Sequence, residues 1–120
     1  MKKKTLVLGA YLKPDRYSNI AIHRLVSSKQ PTVAIGLKQG DVKGIVIDTD
    51  NKDYTDIHTV TLYLNPKRQE PFYDYILSLK PSRVIFNPGT ENLEFYKILK
   101  DKKIEVEVAC TLVMLATNQY

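Results

Sequence analysis

At 120 residues the chain has the length of one domain, and its 43% hydrophobic and 26% charged content excludes the disordered and collagen-like classes. Eighteen basic against 13 acidic residues leave a net charge of +5; Lys2, Lys3 and Lys4 cluster at the start and the other cations are scattered, which argues against nucleic acid and for a compact anionic ligand. With no apolar run long enough for a membrane, no secretory leader and a single cysteine, Cys110, the expectation is a cytoplasmic protein with one domain over residues 1–120 and no disulfide.

Thr5 to Gly9 (TLVLG) is an apolar run ending in glycine, the pattern of a strand buried on both faces. Ser18 is placed to cap a helix that ends near Lys29, before Pro31, with Ile20, Ala21, Leu25 and Val26 as its inward stripe. Thr32 to Leu37 reads as a second strand, Lys38 to Lys43 as a polar connection and Gly44 to Asp48 as a short third strand. The acidic, turn-rich Asp48 to Asp56 segment is expected as a surface loop.

Thr59 to Leu64 is a strand rich in β-branched residues. Pro66 sits in the first turn of a predicted helix that runs to Leu79 and buries Phe72, Ile76 and Leu79. Arg83 to Phe86 is the next strand, and Asn87-Pro88-Gly89-Thr90 turns into a helix with Leu93, Tyr96 and Leu99 on one side. Ile104 to Val108 alternates with period two, as an edge strand does, and Thr111 starts a short last helix. This alternation predicts an α/β, Rossmann-like three-layer fold with a mostly parallel sheet of about five strands. Ligands of such sheets lie at the carboxyl ends of the strands, where the strand order reverses.

The loops at those ends carry the candidate binding residues. The first runs from Gly9 through Ala10, Tyr11, Pro14, Arg16 and Tyr17 to Ser18. It lacks the GxGxxG fingerprint but offers Arg16 for bidentate phosphate contacts and Ser18 for hydrogen bonding. Lys38, at the end of the second strand, stands where dinucleotide sites carry an acid for the ribose hydroxyls. A lysine there suits a phosphorylated ribose, as in NADP or the 3′-phosphorylated ADP of coenzyme A, or is a solvated surface residue. Asn65-Pro66 and Asn87-Pro88-Gly89 follow two further strands; they read as ordinary turns or as the rest of the binding edge.

Catalytic signals are weak, and no enzyme activity is expected. His23 and His58 lack metal-ligand spacing, Cys110 sits in a segment that reads as buried core, and neither a P-loop nor a GxSxG elbow is present. No metal site is expected.

The segment LVLGAYLKPDRYS resembles the V-x-G-A-S-x-x-P-x-R-x-S pattern of small stand-alone CoA-binding proteins, a family similar to the CoA-binding domain of the succinyl-CoA synthetase alpha subunit. Gly9, Ala10, Pro14, Arg16 and Ser18 match it, VAIGLK resembles the family strand that ends in a basic residue, and ACTLVML resembles its cysteine-bearing last segment. Tyr11 stands in place of the usual small serine, and Gly36-Leu37 in place of Asn-Pro. The resemblance implies coenzyme A across the carboxyl edge, with its diphosphate near Ala10 to Ser18, its 3′-phosphate near Lys38 and its pantetheine toward Asn65-Pro66 and Asn87-Pro88-Gly89. It implies a non-catalytic module that binds CoA or an acyl-CoA as carrier, sensor or partner subunit. The alternatives are an NADP-binding or redox-sensing Rossmann domain, and an interaction module for a protein partner whose ligand site is vestigial.

Overall fold

The computed structural model describes residues 2–120. Its strands are β1 (Thr5–Ala10), β2 (Thr32–Gly36), β3 (Gly40–Val42), β4 (Ile45–Asp48), β5 (Thr59–Leu62), β6 (Arg83–Phe86) and β7 (Glu105–Val108). The helices are α1 (Tyr17–Ser27), α2 (Pro66–Gln69), α3 (Tyr73–Leu79), α4 (Leu93–Asp101) and α5 (Thr111–Ala116). One seven-stranded sheet has the order β3-β4-β2-β1-β5-β6-β7. All neighbours pair in parallel except β3, which runs antiparallel to β4.

This is the expected Rossmann-like α/β architecture with a larger sheet. The unforeseen strand is β3, in the stretch read as a polar connection. Val42 pairs with Ile45 across a Lys43-Gly44 turn whose φ values are 54° and 84°, the left-handed pair that a two-residue hairpin needs.

The helix expected from Pro66 to Leu79 is three pieces: α2, a 3₁₀ turn over Glu70–Phe72, and α3. Pro71 has no N–H to continue the α-helical ladder, so the chain tightens there. Of the side chains expected inside it, Ile76 is fully buried, while Phe72 and Leu79 are half-buried. In α1 the inward apolar residues are Ala21, Ile22 and Leu25, with Ile20 and Val26 only half-buried. Leu93, expected inside, is 76% exposed, and Phe95 fills the core from α4 instead. β7 is the sheet edge, as its alternation predicted.

The core lies on the two faces of the sheet. Leu6 and Leu8 of β1 pack with Ile76 of α3 and with Phe95 and Leu99 of α4, whereas Val7 and Ala10 pack with Ile22 and Leu25 of α1. Strict alternation would put Ala10 with Leu8. A register shift between Leu8 and Ala10 against β2, with Gly9 at φ 97°, moves Ala10 to the other face.

Candidate ligand-binding site

β1 lies between β2 and β5, so the chain leaves β1 toward one side of the sheet and later enters β5 on the other. The crevice at the carboxyl ends of β1 and β5 is the switch point of this fold. Gly9 starts it. Its positive φ is open to glycine, and a side chain there would stand 3.0 Å from both Leu64 Cδ2 and the Tyr63 carbonyl carbon.

The bulge delivers Tyr11 into the crevice. Its N–H donates to Ser18 Oγ at 3.1 Å, and its carbonyl accepts from Asn19 Nδ2 at 2.9 Å, so both main-chain groups are fixed on the first turn of α1. Ser18 therefore does not cap the helix, as the sequence suggested. The N-cap is Arg16, without a side-chain cap bond, and the hydroxyl braces the loop instead. Above that anchor, the Arg16 guanidinium lies over the Tyr11 ring at 4.6 Å, and Arg68 Nη1 donates to the Tyr11 hydroxyl at 3.4 Å. The Arg68 hydrogen bond, aided by the charges of Arg68 and Arg16 and opposed by partial burial, holds the Tyr11 phenol below its ordinary pKa.

The carboxyl edge holds several neighbouring spaces, three of them bordered by Tyr11. On the β2 side, a cleft of about 320 Å³ is lined by Ala10, Tyr11, Leu12, Lys13, Arg16, Leu37 and Lys38. A smaller cavity of about 90 Å³ beneath it is bounded by Gly9, Tyr11, Thr49, Leu64, Arg68 and Phe72 among others. On the β5 side, about 210 Å³ opens between Arg16, Tyr17, Ser18, Asn65, Pro88 and Gly89. A further cavity of about 210 Å³ lies among Tyr17, Tyr63, Asn87, Pro88, Cys110 and Leu112. No carboxylate or imidazole lines any of the four, and the one side-chain ion pair among the described residues is Lys52 with Asp48. Among the described residues no cluster of His, Cys, Asp and Glu could hold a metal ion.

Most residues expected at the site therefore meet on one edge. Gly9, Ala10, Tyr11, Arg16, Tyr17, Ser18, Lys38, Asn65, Asn87, Pro88 and Gly89 line these spaces, while Pro14 and Pro66 are exposed and line none of them. Asn65 commits its amide oxygen, and Asn87 both ends of its amide, to the fold. Asn65 Oδ1 accepts from the Arg68 N–H at 2.9 Å and caps α2. Buried Asn87 donates to Thr61 Oγ1 at 2.7 Å and the Leu62 carbonyl at 2.8 Å, and accepts from the Thr111 N–H at 2.8 Å. Both of its N–H donors and one lone pair of Oδ1 are thereby used, so it has no donor left to offer the cavity.

Sequence reasoning passed over Arg68, which belongs to the site because α2 starts at the end of β5, directly across from Tyr11. It also assigned Cys110 to the core. The residue is half-buried and lines the β5-side cavity, since β7, on which it follows, is an edge strand with less cover. Gln69 is a further unforeseen residue. Fully buried, it donates to the Leu64 carbonyl at 2.8 Å and the Thr90 carbonyl at 2.7 Å, tying together the two loops that wall this side.

The donor set fits an elongated ligand with phosphates at one end and a less polar arm at the other. Lys13, Arg16 and Lys38 surround the β2-side cleft, hydroxyls and the α1 N-terminus face the middle, and the Cys110 cavity is mainly apolar. The family model described as a CoA binding domain matches residues 3–116. The chain belongs to this CoA-binding domain family. A crystal structure of an uncharacterized protein is 47% identical to this CoA-binding domain, with a TM-score of 0.97 over 100% of this chain and 99% of the other. A Thermus thermophilus protein shares the fold at 22% identity and a TM-score of 0.83, over 99% of this chain and 91% of its own. A hypothetical protein from Pyrococcus horikoshii OT3 does so at 22% identity and 0.86, over 98% and 84%. No curated protein matches the CoA-binding domain in sequence. Among its described residues, no helix is long and apolar enough to cross a membrane.

Proposed function

We propose that this CoA-binding domain holds coenzyme A or an acyl-CoA along the carboxyl edge of its sheet and catalyses no reaction on it, serving as carrier, sensor or partner subunit. The observation that carries the reading is the cleft around Lys13, Arg16 and Lys38, three cations on the edge where this fold takes nucleotides, with no carboxylate among its lining residues. The diphosphate would lie against Arg16, Ser18 and the first turn of α1, and the 3′-phosphate against Lys38. The pantetheine arm would run past Pro88 and Gly89 toward the cavity that Cys110 lines.

Calorimetric titration with CoA, acetyl-CoA, NADP and ADP side by side tests the reading. CoA or its acyl ester should bind tightest, with ADP weaker because it lacks the 3′-phosphate and the arm. Tighter binding of NADP would replace the reading with a dinucleotide site. Binding of none would leave an interaction module, the second reading, which the placement of the Tyr11 ring inside the crevice favours; co-purifying partners would then identify its role.

A further inference from the structure

Two guanidiniums, one from the loop after β1 and one from α2, converge on one phenol. Arg16 lies 4.6 Å from the centre of the Tyr11 ring, and Arg68 reaches the same ring's hydroxyl from α2 at 3.4 Å. No acidic side chain forms an ion pair with either arginine among the described residues. Like charges drawn together without a carboxylate are mutually unfavourable, and an anion between them relieves that repulsion. A neutral phenol is a poor substitute: it accepts one hydrogen bond, whereas a phosphate accepts bidentate bonds from each guanidinium. The lowered pKa of Tyr11 reports the same positive surroundings. Arg68 also lines the small cavity next to the cleft, together with Gly9, Tyr11, Thr49 and Phe72, and Tyr11 borders both spaces.

We infer that Arg68 is a second phosphate-binding cation of this site, opposite Arg16, and that the Tyr11 hydroxyl occupies it until the ligand's diphosphate takes its place. The inference rests on the reading of the crevice as a phosphate site and deepens it. The phosphate is held from both sides of the switch point, by the loop after β1 and by α2 after β5. Tyr11 is then a placeholder that swings aside, its ring still available to stack on the ligand.

Inorganic pyrophosphate is the probe, because it carries the proposed group and nothing else. Its affinity should fall about tenfold in Arg68→Gln, as expected for one lost charge-assisted contact, and less in Arg68→Lys, which keeps the charge without the fork. Tyr11→Phe, which removes the competing hydroxyl and retains the ring, should tighten pyrophosphate about threefold, the scale of one neutral hydrogen bond. The Tyr11 ring resonances of the wild type should shift as pyrophosphate is added. Lys67→Gln removes a neighbouring exposed charge and corrects for the change in net charge. Equal pyrophosphate affinity in wild type and Arg68→Gln, a loss matched by Lys67→Gln, or no binding by the wild type would each overturn the inference. A parallel titration with CoA separates the two claims. Undiminished CoA binding by Arg68→Gln would remove Arg68 and leave the CoA reading, whereas Arg68-dependent pyrophosphate binding without CoA binding would remove the CoA reading and leave Arg68.

Discussion

The fold contains two stacks of arginine on tyrosine, at opposite edges of the sheet. At the amino edge, Arg83 lies 4.4 Å from the centre of the Tyr120 ring. At the carboxyl edge, Arg16 lies 4.6 Å from that of Tyr11. The spacing is nearly the same and the surroundings are opposite. Arg83 is 5% exposed, donates to Thr59 Oγ1 at 2.8 Å and reaches the Tyr120 main-chain oxygen at 3.4 Å. Lys3 donates to that same oxygen, and the Tyr120 hydroxyl is hydrogen-bonded to Thr5. Arg83 Nε and Nη1 and the Lys3 ammonium are engaged by the chain itself, while Arg83 Nη2 is buried without a hydrogen-bond partner among the described residues, and Tyr120 packs against the α1 face of the core. Arg16 is exposed and has no ion-pair partner among the described residues. An arginine–tyrosine stack is structural where the guanidinium is buried and bonded to the chain on either side, and is available to a ligand where the guanidinium is exposed.

Truncating each tyrosine is the strongest way to break this comparison. Tyr120→Ala should destabilise the protein by about 3 kcal/mol, because it strips the ring from a buried guanidinium and leaves the Thr5 hydroxyl short of its partner. Tyr11→Ala should cost less than about 1 kcal/mol of stability. Urea denaturation of the two variants measures both, and equal losses would erase the distinction.

Next in size is Lys38→Ala. It should weaken CoA by about 2 kcal/mol while leaving dephospho-CoA nearly unchanged, since only CoA carries the phosphate assigned to Lys38. Calorimetry with both ligands decides it, and equal losses would take Lys38 out of that role.

Arg16→Ala should lower CoA affinity by about 1 kcal/mol and change the unfolding midpoint hardly at all, since an exposed stack contributes about 0.5 kcal/mol. A large loss of stability would make the carboxyl-edge stack structural like its counterpart.

The smallest effect belongs to the amino edge. Burial, reinforced by the charges of Arg83 and Lys3, holds half-buried His58 below its ordinary value of 6.5. As pH falls below that value the unfolded chain takes up the proton first. Stability that is complete above it is therefore lost as pH drops toward the folded pKa. Between about pH 7.5 and pH 5.5 the melting temperature should decline, and His58→Gln should flatten that decline slightly. An unchanged slope would show that His58 is solvated like any surface imidazole.

Much of this was legible from local pattern. The runs at Thr5, Thr32, Thr59 and Arg83 are strands because a parallel sheet covered on both faces favours near-continuous apolar and β-branched sequence. Arg16 and Lys38 fall on one edge because every parallel strand ends on the same side. The misreadings have local causes as well. β3 is only Gly40–Val42, too short for alternation to register, and it forms because β4 pairs with it across the Lys43-Gly44 turn. Leu93 looked like part of an inward stripe but sits in the first turn of α4, where Asn92 caps the helix by accepting from the Phe95 N–H at 3.1 Å. That cap sets the helix rotation so that Phe95, not Leu93, faces the sheet.

The sequence by itself determined the alternation of strands and helices, the glycine that starts the first loop, and the position of Arg16 and Lys38 just after the first two strands. These depend on residues within a few positions of each other, and periodicity and backbone freedom report such distances directly. Only the tertiary structure decided that Tyr11 is held between Arg16 and Arg68. Arg68 is 57 positions from Tyr11 in the chain, and no local pattern connects them. They meet because β1 and β5 pair in parallel, so both strands deliver their next residues to the same crevice, where the cap at Asn65 turns α2 back across it.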